Sequence, residues 1–207
     1  RARRFMNEFP PYVQDTGARP FELFDPVTQS FPRIPAFMIF DDLGRRRFPM
    51  GNPAYNDPDM DYQWSQDNLK EVEEGILKQA DSIEELGEKM GLDGAALAET
   101  VARWNDFCRT KNDTEFERPG GTMMAVNRPP YFGAEIWPVL SNTQGGPVHN
   151  ALQQIIDVNG KAIPRLYAAG EMGSSFGHLY LAGGNIAECF VTGRIAGAQA
   201  AGLAPVV

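Results

Sequence analysis

Between residues 65 and 113 the apolar positions recur at helical spacing. Ser82 followed by Glu85 fits a capping box, after which Ile83, Leu86 and Met90 fall on one face of a short helix. A second helix is expected from about Gly94, where Leu97, Val101, Trp104 and Cys108 are spaced as one buried stripe. The stripe reads as core and not as a cofactor box. Residues 1–64 follow another pattern, rich in Pro, Asp and aromatics, which suggests short strands joined by ordered loops. Their aromatic content marks a substrate-side segment, with local core as the competing reading. Further on, the apolar run Leu166 to Ala169 reads as a strand that reaches Gly170-Glu171. A glycine-rich loop follows, and Gly183-Gly184-Asn185 opens an apolar helix. Gly193 and Gly197 on that helix permit close approach to a neighbouring strand and are read as tight packing.

A strand, a ligand loop and a helix start form a chemically suggestive order. A helix start leaves backbone N–H groups unpaired and carries partial positive charge, so it suits phosphate or the electron-rich edge of a flavin ring. Glu171, at the carboxyl end of the strand, is the residue type that accepts hydrogen bonds from ribose hydroxyls in nucleotide-binding sheets. Taken alone, a Glu after a strand is more often a solvated loop residue than a ligand contact.

The net charge of −8 argues against a nucleic-acid partner, which would need clustered Lys and Arg. The basic cluster Arg45-Arg46-Arg47 is read as a solvated turn. Cys108 and Cys189 fall in separate expected helices, which favours buried free thiols over a disulfide. Metal-ligand spacing is absent, and no apolar run approaches the ~18 residues of a membrane span. The composition is that of a soluble cytoplasmic chain; an export signal, if the protein carries one, belongs ahead of Arg1.

The runs LYAAGE and GGNIAECFVTGRIAG resemble the C-terminal motif of the FAD-dependent fumarate reductase and 3-ketosteroid dehydrogenase superfamily. Residues 142–164 resemble the glycine pair and hairpin that lead into the family's last flavin-domain strand, and residues 3–12 its strand and Asn-Glu turn. The family's opening G-x-G-x-x-G phosphate turn is missing. The resemblance therefore implies the C-terminal part of a longer flavoprotein, whose N-terminal FAD-binding half would be its partner. The implied fold class is α+β combined with α/β: a cap, or substrate, domain over 1–130, helical at 65–113, and the closing strand-loop-helix of a Rossmann-like FAD domain over 131–207. The implied FAD contacts are Gly145, Gly146, Gly170, Glu171, Gly183, Gly184, Asn185 and Ile186.

Within the family, fumarate reductases place an arginine where this chain has Tyr12, and grip the substrate carboxylates with a histidine and an arginine at the positions of Gly177 and Leu181. A dicarboxylate deprived of those donors is badly held. The 3-ketosteroid dehydrogenases match better, with tyrosines at Tyr12 and Tyr180 and a glycine pair at Gly183-Gly184. The resemblance implies that Tyr180 and the Gly184 N–H hold a ketone, that Tyr12 takes the adjacent proton, and that a C=C bond conjugated to the ketone is made or reduced. His178, Ser175 and Leu181 are candidate substrate contacts, and His149 is expected near the cofactor. Glu171 and Asn185 lean instead toward the fumarate reductase side. A reductase of an unsaturated acid and a non-catalytic cap subunit thus stay open beside the ketone or enone enzyme. For Tyr12 and Tyr180, plain aromatic packing is the competing reading.

Overall fold

A strand buried at both ends, β1 (Ala36–Asp41), begins the larger sheet of this computed structural model. The structure describes residues 2–11, 17–51, 53–139, 143–175 and 183–205. Contacts divide the chain into two compact units, one of Arg1–Pro11 with Arg19–Pro138 and one of Tyr12–Ala18 with Val139–Val207.

In the first unit β1 pairs antiparallel with β3 (Tyr131–Ile136), which pairs antiparallel on its other side with β2 (Lys78–Ala80). The central strand is the most buried, with Phe132, Gly133 and Ala134 all inside. Phe132 lies opposite Phe40 in the register and stacks on its ring at 5.7 Å. A buried aromatic of this kind contributes roughly 1.5–3 kcal/mol through the apolar surface it removes from water. β3 is the middle strand of this sheet, and the compact unit that contains it runs to Pro138.

Asp41 ends β1 and starts α1 (Asp42–Arg47). Its buried carboxylate accepts from the Gly44 N–H at 2.9 Å as an N-cap, and from the Asn127 and Arg128 N–H groups at 3.1 and 3.0 Å. This helix corrects the reading of Arg45-Arg46-Arg47 as a solvated turn. Arg45 is buried, donates to the Asp67 carbonyl at 2.5 Å and to Asp42 at 2.7 Å, and lies over the Phe132 ring. Its position on the helix turns it inward, where its guanidinium finds a carbonyl 22 residues away.

The helical region 65–113 contains α2 (Leu69–Glu73), α3 (Ile83–Lys89) and α4 (Gly94–Thr110), interrupted by β2. Ser82 caps α3 by accepting the Glu85 N–H at 3.1 Å, and Glu85 reaches back to the Asp81 N–H at 3.3 Å. Ile83, Leu97 and Val101 form the core of the helix pair. Trp104 and Cys108 continue the stripe half-buried, with the indole N–H bound to the Met124 carbonyl at 2.9 Å. The two helices touch backbone to backbone: a Cβ added at Gly87 would stand 2.7 Å from the Gly94 Cα.

The second unit holds a hairpin of β4 (Gln154–Ile156) and β5 (Ala162–Tyr167), and the long helix α5 (Gly184–Ala201). Asp157 closes the hairpin by accepting the Asn159 and Lys161 N–H groups at 2.9 and 2.8 Å. Two expectations for α5 need correction. A Cβ at Gly193 or Gly197 would meet nothing within 4 Å, so no described residue packs tightly there. Cys189 is an exposed free thiol, although its sulfur lies toward the loop after β5, where a Cβ added at Gly170 would stand 3.1 Å from it. Cys108 is a half-buried free thiol whose pKa is raised by burial. Among the described residues no helix is long and apolar enough to cross a membrane, and no His, Cys, Asp and Glu gather as a metal site.

Candidate cofactor site

The glycine pair, the loop after β5 and the start of α5 are tied together by hydrogen bonds within the second unit. Gly145 and Gly146 have φ of 130° and 136°, conformations that favour glycine. Gly145 makes a parallel bridge to Met172: its N–H donates to the Glu171 carbonyl at 3.3 Å, and its carbonyl accepts the Gly173 N–H at 2.8 Å. Gly146 lies so close that a Cβ there would stand 2.9 Å from the Gly173 nitrogen. His149 adds a contact between its Nε2 and the Gly173 carbonyl.

Glu171, half-buried, accepts the Thr143 N–H on Oε1. A carboxylate offers about four lone-pair sites, so capacity is left for a hydroxyl donor. Gln144 donates from Nε2 to Asn185 Oδ1 at 2.7 Å, which joins the segment before the glycine pair to the first turn of α5. Gly183 enters that helix at φ 75° with no side-chain cap. The first N–H groups, those of Gly184, Asn185 and Ile186, therefore lack intrahelical acceptors, and the helix dipole makes them attractive to an electron-rich ligand edge. A Cβ at Gly145 or Gly183 would meet only open space, so the backbone there is approachable from outside.

Gly145, Gly146, Glu171, Gly183, Gly184 and Asn185 are thus brought into one patch, with Ile186 exposed beside them. Gly170 is held from below, its N–H donating to Thr192 Oγ1 at 2.7 Å. Ser175 donates its N–H to Glu188 Oε1 at 2.6 Å and so faces α5 through its backbone. Tyr12, His178, Tyr180 and Leu181 lie outside the described residues. Sequence reasoning missed Thr143, Gln144, Glu188 and Thr192. The last two carried a usable signal, being polar residues four apart in the otherwise apolar stretch from Ile186 to Gly193.

Residues 1–186 match the family described as FAD binding domain. The chain belongs to this family. FAD is its cofactor, and an uncapped helix start beside a half-buried carboxylate and an open glycine backbone fits that group. Relatives include a fumarate reductase (cytochrome) of Shewanella frigidimarina, 38% identical over 128 residues, covering 61% of this chain and 22% of the relative. A 3-oxosteroid 1-dehydrogenase of Mycobacterium tuberculosis is 29% identical over 223 residues, covering 94% of this chain and 36% of the relative. The chain thus spans well under half the length of either. The fold is similar to part of 3-ketosteroid Δ1-dehydrogenase from Sterolibacterium denitrificans, with a TM-score of 0.72 at 24% identity, over 97% of this chain and 37% of that one. Both branches of the expected superfamily are therefore represented among the relatives.

In the first unit the Asn7-Glu8 turn is firmly held. Asn7 accepts the Phe9 N–H at 2.8 Å, and Glu8 receives Arg4 at 2.8 Å and Arg118 at 3.3 Å. Arg4 also bonds the fully buried Asp113 carboxylate at 2.7 Å and lies over the Trp104 and Phe116 rings. Arg4 holds Asp113 well below the usual carboxylate range, at about 2. Burial opposes the charge on Arg4 itself, but its bonds to Glu8 and Asp113 outweigh that and raise its pKa.

Proposed function

We propose that the chain is the substrate-side and closing portion of an FAD-dependent oxidoreductase that makes or reduces a C=C bond conjugated to a ketone on a 3-ketosteroid-like substrate. Supporting this reading is the pairing of Tyr12 after the Asn7-Glu8 turn with Tyr180 before Gly183-Gly184, the pattern of the steroid enzymes. The first unit would then be the cap, and FAD would be held between the second unit and an N-terminal half of the same protein. Gly184 and its neighbours at the uncapped start of α5, with Glu171 and the glycine pair, are the residues that would hold the cofactor.

The phenol of Tyr180 and the Gly184 N–H donate hydrogen bonds to the ketone oxygen and stabilise the enolate that develops there. The C–H beside the ketone becomes more acidic, and the Tyr12 phenolate accepts that proton. Bound FAD would supply the acceptor for the hydride that leaves the neighbouring carbon. In the reverse direction the Tyr12 phenol returns the proton to the carbon beside the ketone. A free tyrosine titrates near ~10, so Tyr12 is a better base as the pH rises.

A second reading is a reductase of an unsaturated carboxylic acid. Glu171 and Gly183-Gly184-Asn185 favour it, as does the 38% identity to the Shewanella frigidimarina fumarate reductase. Anaerobic stopped-flow absorbance of the full-length parent separates the two. Flavin bleaching by a saturated 3-ketosteroid, lost in Tyr12→Phe, supports ketone chemistry; reoxidation of the dithionite-reduced protein by fumarate alone supports the second reading.

A further inference from the structure

Glu188 is a carboxylate buried to 5% exposure on a helix otherwise made of apolar and small residues in this stretch. One oxygen accepts the Ser175 N–H at 2.6 Å, and among the described residues Oε2 has no hydrogen-bond partner. Burying a carboxylate with an unsatisfied oxygen costs stability, so this residue calls for a role that an apolar side chain does not fill. Its neighbour one turn on, Thr192, accepts the Gly170 N–H on Oγ1 at 2.7 Å and donates to the Glu188 carbonyl at 2.6 Å. One face of α5 thus grips both ends of the segment Gly170–Ser175, which contains Glu171.

That segment needs gripping. Gly170 and Gly173 have φ of 73° and 88°, conformations open to glycine, and glycine loses more freedom on folding than any other residue. The middle of the segment is tied to the glycine pair through the Gly145–Glu171 and Gly173–Gly145 hydrogen bonds, and Glu188 and Thr192 tie its two ends to α5, which fixes the Glu171 carboxylate relative to the helix start. Serving as anchors, Glu188 and Thr192 convert a flexible glycine loop into a fixed edge of the site.

We propose that Glu188, together with Thr192, is a positioning residue for the FAD-holding loop, acting through the Ser175 and Gly170 N–H groups and not by touching the reacting atoms. The inference rests on the cofactor site described above and is independent of whether the substrate is a ketone or an acid. It is tested in the full-length holoprotein by hydrogen exchange of the peptide spanning 170–175 and by FAD dissociation followed through flavin fluorescence. Glu188→Ala is expected to speed exchange of that peptide and weaken FAD binding, each by about tenfold or more, the loss of one hydrogen bond to a charged group. Glu188→Gln is expected to stay near wild type, because its amide oxygen still accepts from Ser175. Unchanged exchange and affinity in Glu188→Ala overturn the proposal, and so does a Glu188→Gln as damaged as the alanine variant. Should Glu188→Ala fail to fold, Thr192→Val removes the other anchor with little change of shape and is expected to raise exchange at Gly170 and weaken FAD. No change in either overturns the proposal. Failure of the wild-type protein to oxidise a 3-ketosteroid would count against the ketone reading and leave these measurements standing.

Discussion

Arg4 shows what a buried charge requires of its surroundings. Arg4 is enclosed between aromatic rings and bonded to Asp113 and Glu8, so the charge has partners on every side. Arg4→Met leaves the fully buried Asp113 without its cation and is expected to lower stability by roughly 3–5 kcal/mol in chemical denaturation. A loss below about 1 kcal/mol would show the pair to be no better than a surface bridge. Tyr12→Phe tests the base proposed above. If Tyr12 is the base, kcat for ketosteroid dehydrogenation falls by about 10²–10⁴ with FAD binding retained, and wild-type kcat rises with pH toward ~10. A flat pH profile would remove Tyr12 from that role.

At the scale of elements, α2, α3 and α4 are held by different physics. Around α2, Glu71 is fully buried and accepts from the Ser65 N–H at 2.7 Å, the Ser65 hydroxyl at 2.5 Å and the Tyr62 hydroxyl at 3.2 Å. Burial pushes this carboxyl up, but the Ser65 hydrogen bonds outweigh it and bring it to about 2. Glu71 and Asp113 therefore both titrate lower in the folded chain than their ordinary values of 4.5 and 3.8. Their stabilisation is complete above those ordinary values and is lost as pH falls toward about 2. Urea midpoints measured from pH 6 down to pH 2 should drop through that window, and Glu71→Gln should flatten the drop. The α3–α4 crossing depends instead on bare backbone contact. Gly94→Ala would push a Cβ to 2.4 Å from the Glu84 carbonyl oxygen, and is expected to cost roughly 1–3 kcal/mol of overpacking strain despite alanine's better helix propensity. A thermal melt at or above that of wild type would show that the helices can part.

For the whole molecule, the relevant fact is that the chain covers 22% and 36% of the relatives compared with it. The candidate FAD site in the second unit presents a helix start, a carboxylate and a glycine edge, and the sequence carries no phosphate turn to complete them. The 207-residue chain purified alone is accordingly expected to be colourless, and a protein that joins it to the proposed N-terminal half is expected to be yellow. Stoichiometric FAD on the isolated chain, seen in its visible absorbance, would mean that these residues make a sufficient site by themselves.

The sequence by itself determined those features whose causes are local. The Ser82 cap, the buried stripe from Leu97 to Val101, the Asp157 hairpin region and the uncapped glycine entry to α5 depend on residues within a few positions of one another. The same locality made the match to the FAD family legible, since its motif is a contiguous strand, loop and helix. Only the tertiary structure decided the rest. β2 is three residues inside a helical region and exists because β3, over fifty positions away, supplies its hydrogen bonds. Arg45 is buried because the Asp67 carbonyl and the Phe132 ring await it. Glu188 and Thr192 matter because a loop folds back onto them. Periodicity states which way a side chain faces along its own element, whereas the partner it meets is set by how distant segments pack.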